Sequence, residues 1–586
     1  MLRIVKKFSL LMDKQQKRSV VGLVFLMIVC AVFETLSVSV VVPLMTALMQ
    51  ENFIESNELA KTICGVLHIN DDQTFVFAAI IALICLFILK DVFLSVEYYI
   101  QVCFVCESRV KIQKKLMETY LSRPYEFFIN ASSGEILRIV RSDTGGAFGL
   151  LMTVMTFFAE LIVASALIIG VIVIDPLMAF IVALLLVFVM LLIYKVIKPV
   201  LRKAGVGVQE NNAFANKWLL QSIAGVKEMK VANKEEFFVN KYNYYAKKGV
   251  ECEKKSIVLG NIPRQIIEAV TVSGMLGYIA VMVYNGKPVS ELLPQISAFA
   301  VAAARLLPSA NRISAALNTI PYSEPQLDKT IENLRIAESM DMDERYIKTQ
   351  NNESNAKITL SKECGLKNIT FSYPNSEKNV LNNADMVIPI GKSIGIIGPS
   401  GAGKTTAVDI LLGLLQPQDG TVYSDEVNIE DDYCGWLKHV SYIPQMIYML
   451  DDTIRANVAF GCNAEEVNDE MVWKALDEAQ MGDYVRSLPE GIETVIGERG
   501  VRLSGGQRQR IGIARALYTE PELLIFDEAT SALDNETEEM IMESINSLHG
   551  KKTIIIIAHR LTTIRECDLV YNVQDGKINS VNQDKI

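Results

Sequence analysis

Basic residues are in deficit along this chain: 57 Lys and Arg stand against 67 Asp and Glu, a formal net charge of −10. That balance argues against a nucleic-acid partner. Ten cysteines scattered without a framework, and only four histidines, imply no disulfide-rich secreted class. Cys103 and Cys106 form one CxxC. It lies in the apolar stretch IQVCFVCES, where small hydrophobes on a helix are the better reading than a redox or metal pair. The N-terminus puts basic residues ahead of an apolar run, as a secretory leader does. The run continues to about Met49 with no small-residue cleavage site, so a retained first span is expected.

What is abundant is apolar surface. Half of the 586 residues are hydrophobic and mean hydropathy is +0.26, high for a soluble protein. The excess lies before about residue 320, and the remainder of the chain reads as an ordinary soluble α/β domain. Six apolar spans fit the roughly 20 residues a bilayer requires, at about 20–49, 74–102, 148–174, 176–197, 262–284 and 291–316. Asp175-Pro176 and YNGKP are tight turns between spans.

Arg3, Lys6, Lys7, Lys14, Lys17 and Arg18 place the N-terminus in the cytoplasm. The basic connections at about 103–147 and 198–261 then also fall inside, and an even number of spans returns the C-terminal domain there. RPYEFFINASSGEILRIVRSD and LLQSIAGVKEMKVANKEEFF would be the tips of helical rods, either solvated linkers or docking elements. NELAKTICGVLHI, within 50–73, suits a short amphipathic helix outside the membrane. The expected organisation is a transmembrane domain over 1–320, a polar linker over 321–357 and a soluble domain over 358–586.

The soluble domain carries the most specific signal. KSIGIIGPSGAGKTTAVDILLGLL is a β-branched strand, a loop and a helix, with GPSGAGKT from Gly398 to Thr405 filling the GxxxxGK[ST] pattern. Gly398, Pro399, Ser400, Gly401, Ala402 and Gly403 would turn backbone N–H groups onto phosphates, and the helix N-terminus adds positive potential. Lys404 would reach the β- and γ-phosphates, Thr405 would ligate Mg²⁺, and Thr406 follows on the helix. A second strand, ELLIFDEAT, delivers Asp527 and Glu528 to the C-terminal edge of a buried parallel sheet, where such sheets bind ligands. Asp527 would hold Mg²⁺ through water, and Glu528 would polarise the attacking water.

Between these lies RLSGGQRQRIGIARAL, and here the chain closely resembles the ABC ATPase family, whose signature LSGGQ stands at Leu503 to Gln507. The resemblance covers essentially the whole chain and shows no departure at the catalytic positions. It implies that Tyr373 in FSYP stacks on adenine, that Gln445 in SYIPQ senses Mg²⁺, that Asp534 ends a D-loop, and that His559 in IIAHR contacts the γ-phosphate. GERG at Gly497 to Gly500 resembles the loop with which exporters of the family touch their coupling helices. One domain cannot use both its phosphate loop and its signature on one ATP. The resemblance therefore implies a head-to-tail dimer in which Ser504, Gly505, Gly506 and Gln507 cap ATP held by the other copy. A homodimer is expected, with a heterodimer left open. The implied fold class is multidomain: an all-α polytopic membrane domain of six transmembrane helices, of the ABC exporter type, plus an α/β P-loop ABC ATPase domain, with ATP and Mg²⁺ as cofactors.

The sixth span holds two cations in ISAFAVAAARLLPSANRIS, although a cation in hydrocarbon costs about 3 kcal/mol or more. Arg305, Ser309 and Arg312 share a helical face with Ala298 and Ala302, while Phe299, Leu306 and Ile313 share another. By helical rise, Arg305 lies about 20 Å and Lys90 about 24 Å in from the outer surface. Arg264 opens the fifth span from inside. Such a basic belt suits a phosphate or pyrophosphate headgroup; pairing of Arg264 with Glu268 and of Lys90 with Asp91 or Glu97, with Arg312 snorkelling beyond the bilayer, is the structural alternative.

PYEFF, PRQIIE and RLLPSANRI resemble the PglK-type bacterial flippases of lipid-linked oligosaccharides. That resemblance implies Arg264, Arg305 and Arg312 as cavity residues, a polyprenyl-pyrophosphate glycan as cargo, and an inner-membrane location. An exporter of other lipids or amphipathic drugs, and an ATP-gated channel or regulator on the same frame, are the alternatives.

Overall fold

The computed structural model describes residues 2–40, 44, 72–174, 176–285, 289–339, 358–374, 376, 378–528, 542–543, 545, 547–558 and 564–581; the side chains of some helical residues within these ranges, Arg305 among them, are not described. The external-helix expectation for 50–73 falls almost wholly outside the described residues. The chain divides into two compact units, one of residues 1–121 and 131–340, the other of 122–130 and 341–586.

The first unit is helical. After the short α1 (Leu2–Leu11) come α2 (Lys14–Ser39), α3 (Asp72–Leu121), α4 (Thr144–Ile174), α5 (Pro176–Ala224), α6 (Glu235–Tyr284) and α7 (Val289–Ser339). At about 1.5 Å per residue, helices of 49 to 51 residues run roughly 75 Å, more than twice a hydrocarbon core. They are rods that outrun any bilayer, as the charged connections require. Among the described residues, four helices are long and apolar enough to cross a membrane.

Contacts between the helices are made by small clusters. Ile197 and Leu201 of α5 meet Ile267 of α6 and Ala310 of α7, while Ala31 of α2 meets Val163 and Leu167 of α4 and Leu306 of α7. The polar stretch read as linker from 321 is in its first part helix: α7 runs unbroken to Ser339, because Ile320, Leu327, Ile331 and Leu334 recur on one face and are buried.

The second unit is an α/β domain. An antiparallel sheet has the order β2 (Leu381–Pro389), β1 (Glu363–Phe371), β4 (Asp419–Ser424), β5 (Val427–Asn428). The main sheet has the order β10 (Lys577–Val581), β9 (Leu569–Gln574), β3 (Ser393–Ile397), β8 (Thr553–Ile557), β7 (Leu523–Asp527), β6 (Val440–Ile443). All its neighbours are parallel except β10 on β9. The inner strands β7 and β8 are buried along their whole length, which is why LLIFD and TIIII lack alternation. Each fully buried Leu or Ile contributes about 1.5–3 kcal/mol. Of the two rod tips, Tyr125–Asn130 belongs to this second unit and Val226–Val231 to the first.

Candidate nucleotide site and intramembrane charges

Strands β3 and β7 flank β8, so their C-terminal ends stand two strand spacings apart, about 10 Å, on one edge of the sheet. From β3 the chain enters the glycine-rich loop and then α8 (Lys404–Leu411). Gly403 caps that helix at φ +103°, a left-handed conformation, and a Cβ there would stand 2.8 Å from Val380 Cγ1. Gly398 is similarly confined, at φ +145° against the Val573 carbonyl. Lys404 is buried and its ammonium donates to the carbonyls of Gly398 (2.9 Å) and Pro399 (3.1 Å), inside the loop.

The structure brings the sequence-identified acids to this loop. Asp527, at the end of β7, is 5% exposed. Burial and then the neighbouring Glu528 charge push its carboxyl up, while hydrogen bonds from Tyr442 and Thr405 and the charge of Lys404 hold it down. Glu528 sits at φ +50°, a left-handed conformation that costs a non-glycine residue about 1–3 kcal/mol. Its Oε2 accepts from Gln445 Nε2 at 2.7 Å, so the expected base and the expected sensor are in contact. Tyr373 reaches the first turn of α8, its hydroxyl 3.0 Å from Thr406 Oγ1.

Among the described residues no group of three or more His, Cys, Asp and Glu gathers as a metal site. One buried carboxylate and one hydroxyl, Asp527 and Thr405, are instead the oxygen donors that suit Mg²⁺ shared with phosphates.

The signature begins α9 (Gly505–Tyr518). Ser504 is its N-cap and exchanges bonds with Gln507: the Gln507 backbone N–H donates to Ser504 Oγ (3.2 Å), and the Ser504 N–H donates to Gln507 Oε1 (2.8 Å). Gly505 and Gly506 follow in the first turn, whose N–H groups have no intrahelical acceptor and could receive an anion. β8 ends at Ile557 just before His559; both His559 and Asp534 lie outside the described residues.

Four further residues carry weight in this unit although the sequence patterns that contain them assign them no role. Tyr442 bonds Asp527. Asp409, on α8, is pushed up to about 6 by burial and then by the Asp527 charge. Tyr125, on the rod tip included in this unit, is pushed up by burial and then by the charges of Asp409 and Tyr373. Arg515 ties α9 to the segment after Gln445, donating to the carbonyls of Tyr448 and Asn457, each at 2.8 Å. Only long-range packing makes them partners, so no spacing in the sequence could mark them.

In the first unit the basic belt comes out differently from the sequence expectation. Lys90 is fully buried: Nζ lies 3.1 Å from Asp91 and 4.0 Å from Glu34 of α2, over the Phe87 ring at 4.8 Å. That enclosure makes it a helix-to-helix tie and not a cavity residue, because Glu34 inside an apolar span demands a counter-charge. Ser309 is buried at 2%, so the polar stripe on α7 is not all solvent-facing. Arg312 is exposed through 58% of its side chain and pairs with Glu160 of α4 at 2.7 Å. Arg264 is exposed on α6. Glu34 and Glu160 were legible only as isolated acids in apolar runs.

Comparison with known proteins places both units. The ABC transporter transmembrane region family matches residues 24–304, and the ABC transporter family matches residues 381–531. ABC transporter B family member 29, chloroplastic, of Arabidopsis thaliana is 28% identical over 511 residues, 84% of this chain and 77% of that protein. The ATP-dependent lipid A-core flippase of Bordetella avium is 39% identical over 213 residues, 36% of each chain. The matched stretch spans about a third of the length of most of the curated relatives.

A bacterial Atm1-family ABC exporter solved with ATP bound has the same fold, with a TM-score of 0.75 at 21% identity over 98% of this chain and 96% of that one. The second unit is accordingly an ABC ATPase domain, which uses ATP with Mg²⁺. With both regions matched in one polypeptide, this chain belongs to the ABC transporters, with fused transmembrane and ATPase domains and the fold of an ABC exporter.

Proposed function

We propose that two copies of this chain form an ATP-driven flippase that moves a lipid-linked oligosaccharide, a polyprenyl-pyrophosphate glycan, from the cytoplasmic to the outer leaflet of an inner membrane. The observation that carries the ATP-driven part is the Gln445–Glu528 contact beside Asp527 and the phosphate loop. In hydrolysis the attacking water forms a bond to the γ-phosphorus as the bond to the β-phosphate oxygen breaks. Glu528 takes the water's proton and Gln445 orients Glu528. Lys404 and the loop amides stabilise charge on the phosphate oxygens. Closure of two such sites, each completed by the Ser504–Gln507 turn of the other copy, would bias the membrane helices between inward and outward exposure.

The cargo part rests on charge. Arg312 and Arg264 are exposed cations in the spans, and Arg305 is a third by sequence. Planar guanidinium groups match phosphate oxygens in pairs, whereas an apolar cargo would give no return on their desolvation. A relative named a lipid A-core flippase supports a lipid as the cargo class.

The test is ATP-dependent translocation of a fluorescent lipid-linked glycan in proteoliposomes. Glu528→Gln is expected to lose turnover and transport at least about 100-fold. Arg305→Ala and Arg312→Ala are expected to lower transport about ten-fold, the equivalent of one charge-assisted hydrogen bond. Undiminished transport in both arginine variants removes the pyrophosphate reading, and stimulation of ATPase activity by apolar compounds without phosphate favours the drug or neutral-lipid exporter instead.

A further inference from the structure

We infer that Tyr442 is a positioning residue of the metal site, its hydroxyl holding the Asp527 carboxylate in the one orientation in which it faces Mg²⁺. In the parallel pairing of β6 with β7, Tyr442 stands beside Ile525, and Ile525 and Asp527 share a face because side chains alternate along a strand. Tyr442 therefore leans along the strand direction toward the end of β7, and its hydroxyl donates to Asp527 Oδ2 at 2.9 Å. The ring packs with Ile525 and the inner residues of α8 in one hydrophobic cluster, which keeps the hydroxyl in place.

The carboxylate needs that donor. Asp527 is buried beside two other acids, Asp409 and Glu528, whose charges oppose its own. Thr405 also donates to it, yet the Thr405 hydroxyl is itself the expected metal ligand. Tyr442 is thus the donor that metal binding does not call upon. One oxygen fixed by a phenol on the sheet leaves the other available to the metal. A group that orients a metal-binding carboxylate from behind typically governs metal affinity about 10- to 100-fold.

The experiment uses the full-length chain carrying Glu528→Gln, so that ATP persists. Binding of Mn²⁺ in the presence of ATP is followed by loss of the free Mn²⁺ electron paramagnetic resonance signal. Tyr442→Phe keeps the ring and is expected to raise the half-saturating Mn²⁺ concentration about ten-fold, while ATP affinity in EDTA stays as in the parent. Ser441→Ala is the control: the Ser441 hydroxyl lies on the opposite face of β6, 3.2 Å from Thr519 Oγ1, and its loss is expected to leave Mn²⁺ binding unchanged. Equal Mn²⁺ affinity in Tyr442→Phe and parent overturns the inference. So does a weakening of metal-free ATP binding by the same factor, since that is general loosening of the site and not loss of carboxylate orientation.

Discussion

Asp409 shows how a single buried carboxyl sets a pH dependence. Its usual value of 3.8 is raised to about 6 by burial and the Asp527 charge. Between about pH 4 and 6 the unfolded chain has released the proton while the folded chain keeps it, so folding stability falls through that window and stays reduced above it. A displacement of that size corresponds to about 3 kcal/mol at most. Asp409→Asn should therefore stabilise the ATPase unit by about 1–3 kcal/mol at pH 8 in EDTA, with the gain roughly halved at pH 5. Thermal unfolding of both proteins across that range checks it; a gain independent of pH would assign the effect to packing.

At this scale the phosphate loop, Asp527, Glu528 and Gln445 could be singled out from the sequence as candidates, because each sits in a contiguous motif. Asp409 and Tyr442 were not, since each acquires its role from a carboxylate more than 80 positions away in sequence.

At the scale of elements, α9 does two tasks. Its N-terminus presents the signature turn, and near its other end Arg515 holds the segment that comes after Gln445. The guanidinium gives hydrogen bonds to Asn457 O, Tyr448 O and Asn457 Oδ1 and lies over the Phe460 ring at 4.6 Å. Arg515→Leu strips three acceptors of a charged donor and is expected to cost about 3 kcal/mol. Hydrogen exchange should rise first in residues 446–458, ahead of the sheet; uniform loss of protection would contradict the local role. The long helices were legible from apolar runs and charged extensions. The end of α7 was not. Its continuation to Ser339 depends on the burial of Leu327, Ile331 and Leu334, a pattern thinned by the polar residues between them.

At the scale of the whole molecule, each ATPase unit carries one phosphate loop and one signature turn, and these are the two halves of different sites in the proposed assembly. Two copies of the 65.2 kDa chain are thus required for each pair of sites. Co-expression of two differently tagged copies should yield mixed particles, and light scattering corrected for detergent should give twice the chain mass. A particle of one chain that still hydrolyses ATP at the full rate would refute the shared-site arrangement.

The candidate nucleotide site of this protein was marked out by the sequence alone. A strand, a glycine-rich turn and a helix start are contiguous, so the residues that make the anion cradle also dictate its backbone, and the capping pair Ser504 and Gln507 is equally local. Which charges pair across the helices was decided only by tertiary structure. Nearly uniform apolar spans give no periodicity from which a face can be assigned, so packing alone buried Lys90 against Glu34 and set Glu160 on Arg312. The same holds in the ATPase unit. Parallel register, which no local pattern encodes, brought the Tyr442 hydroxyl to Asp527.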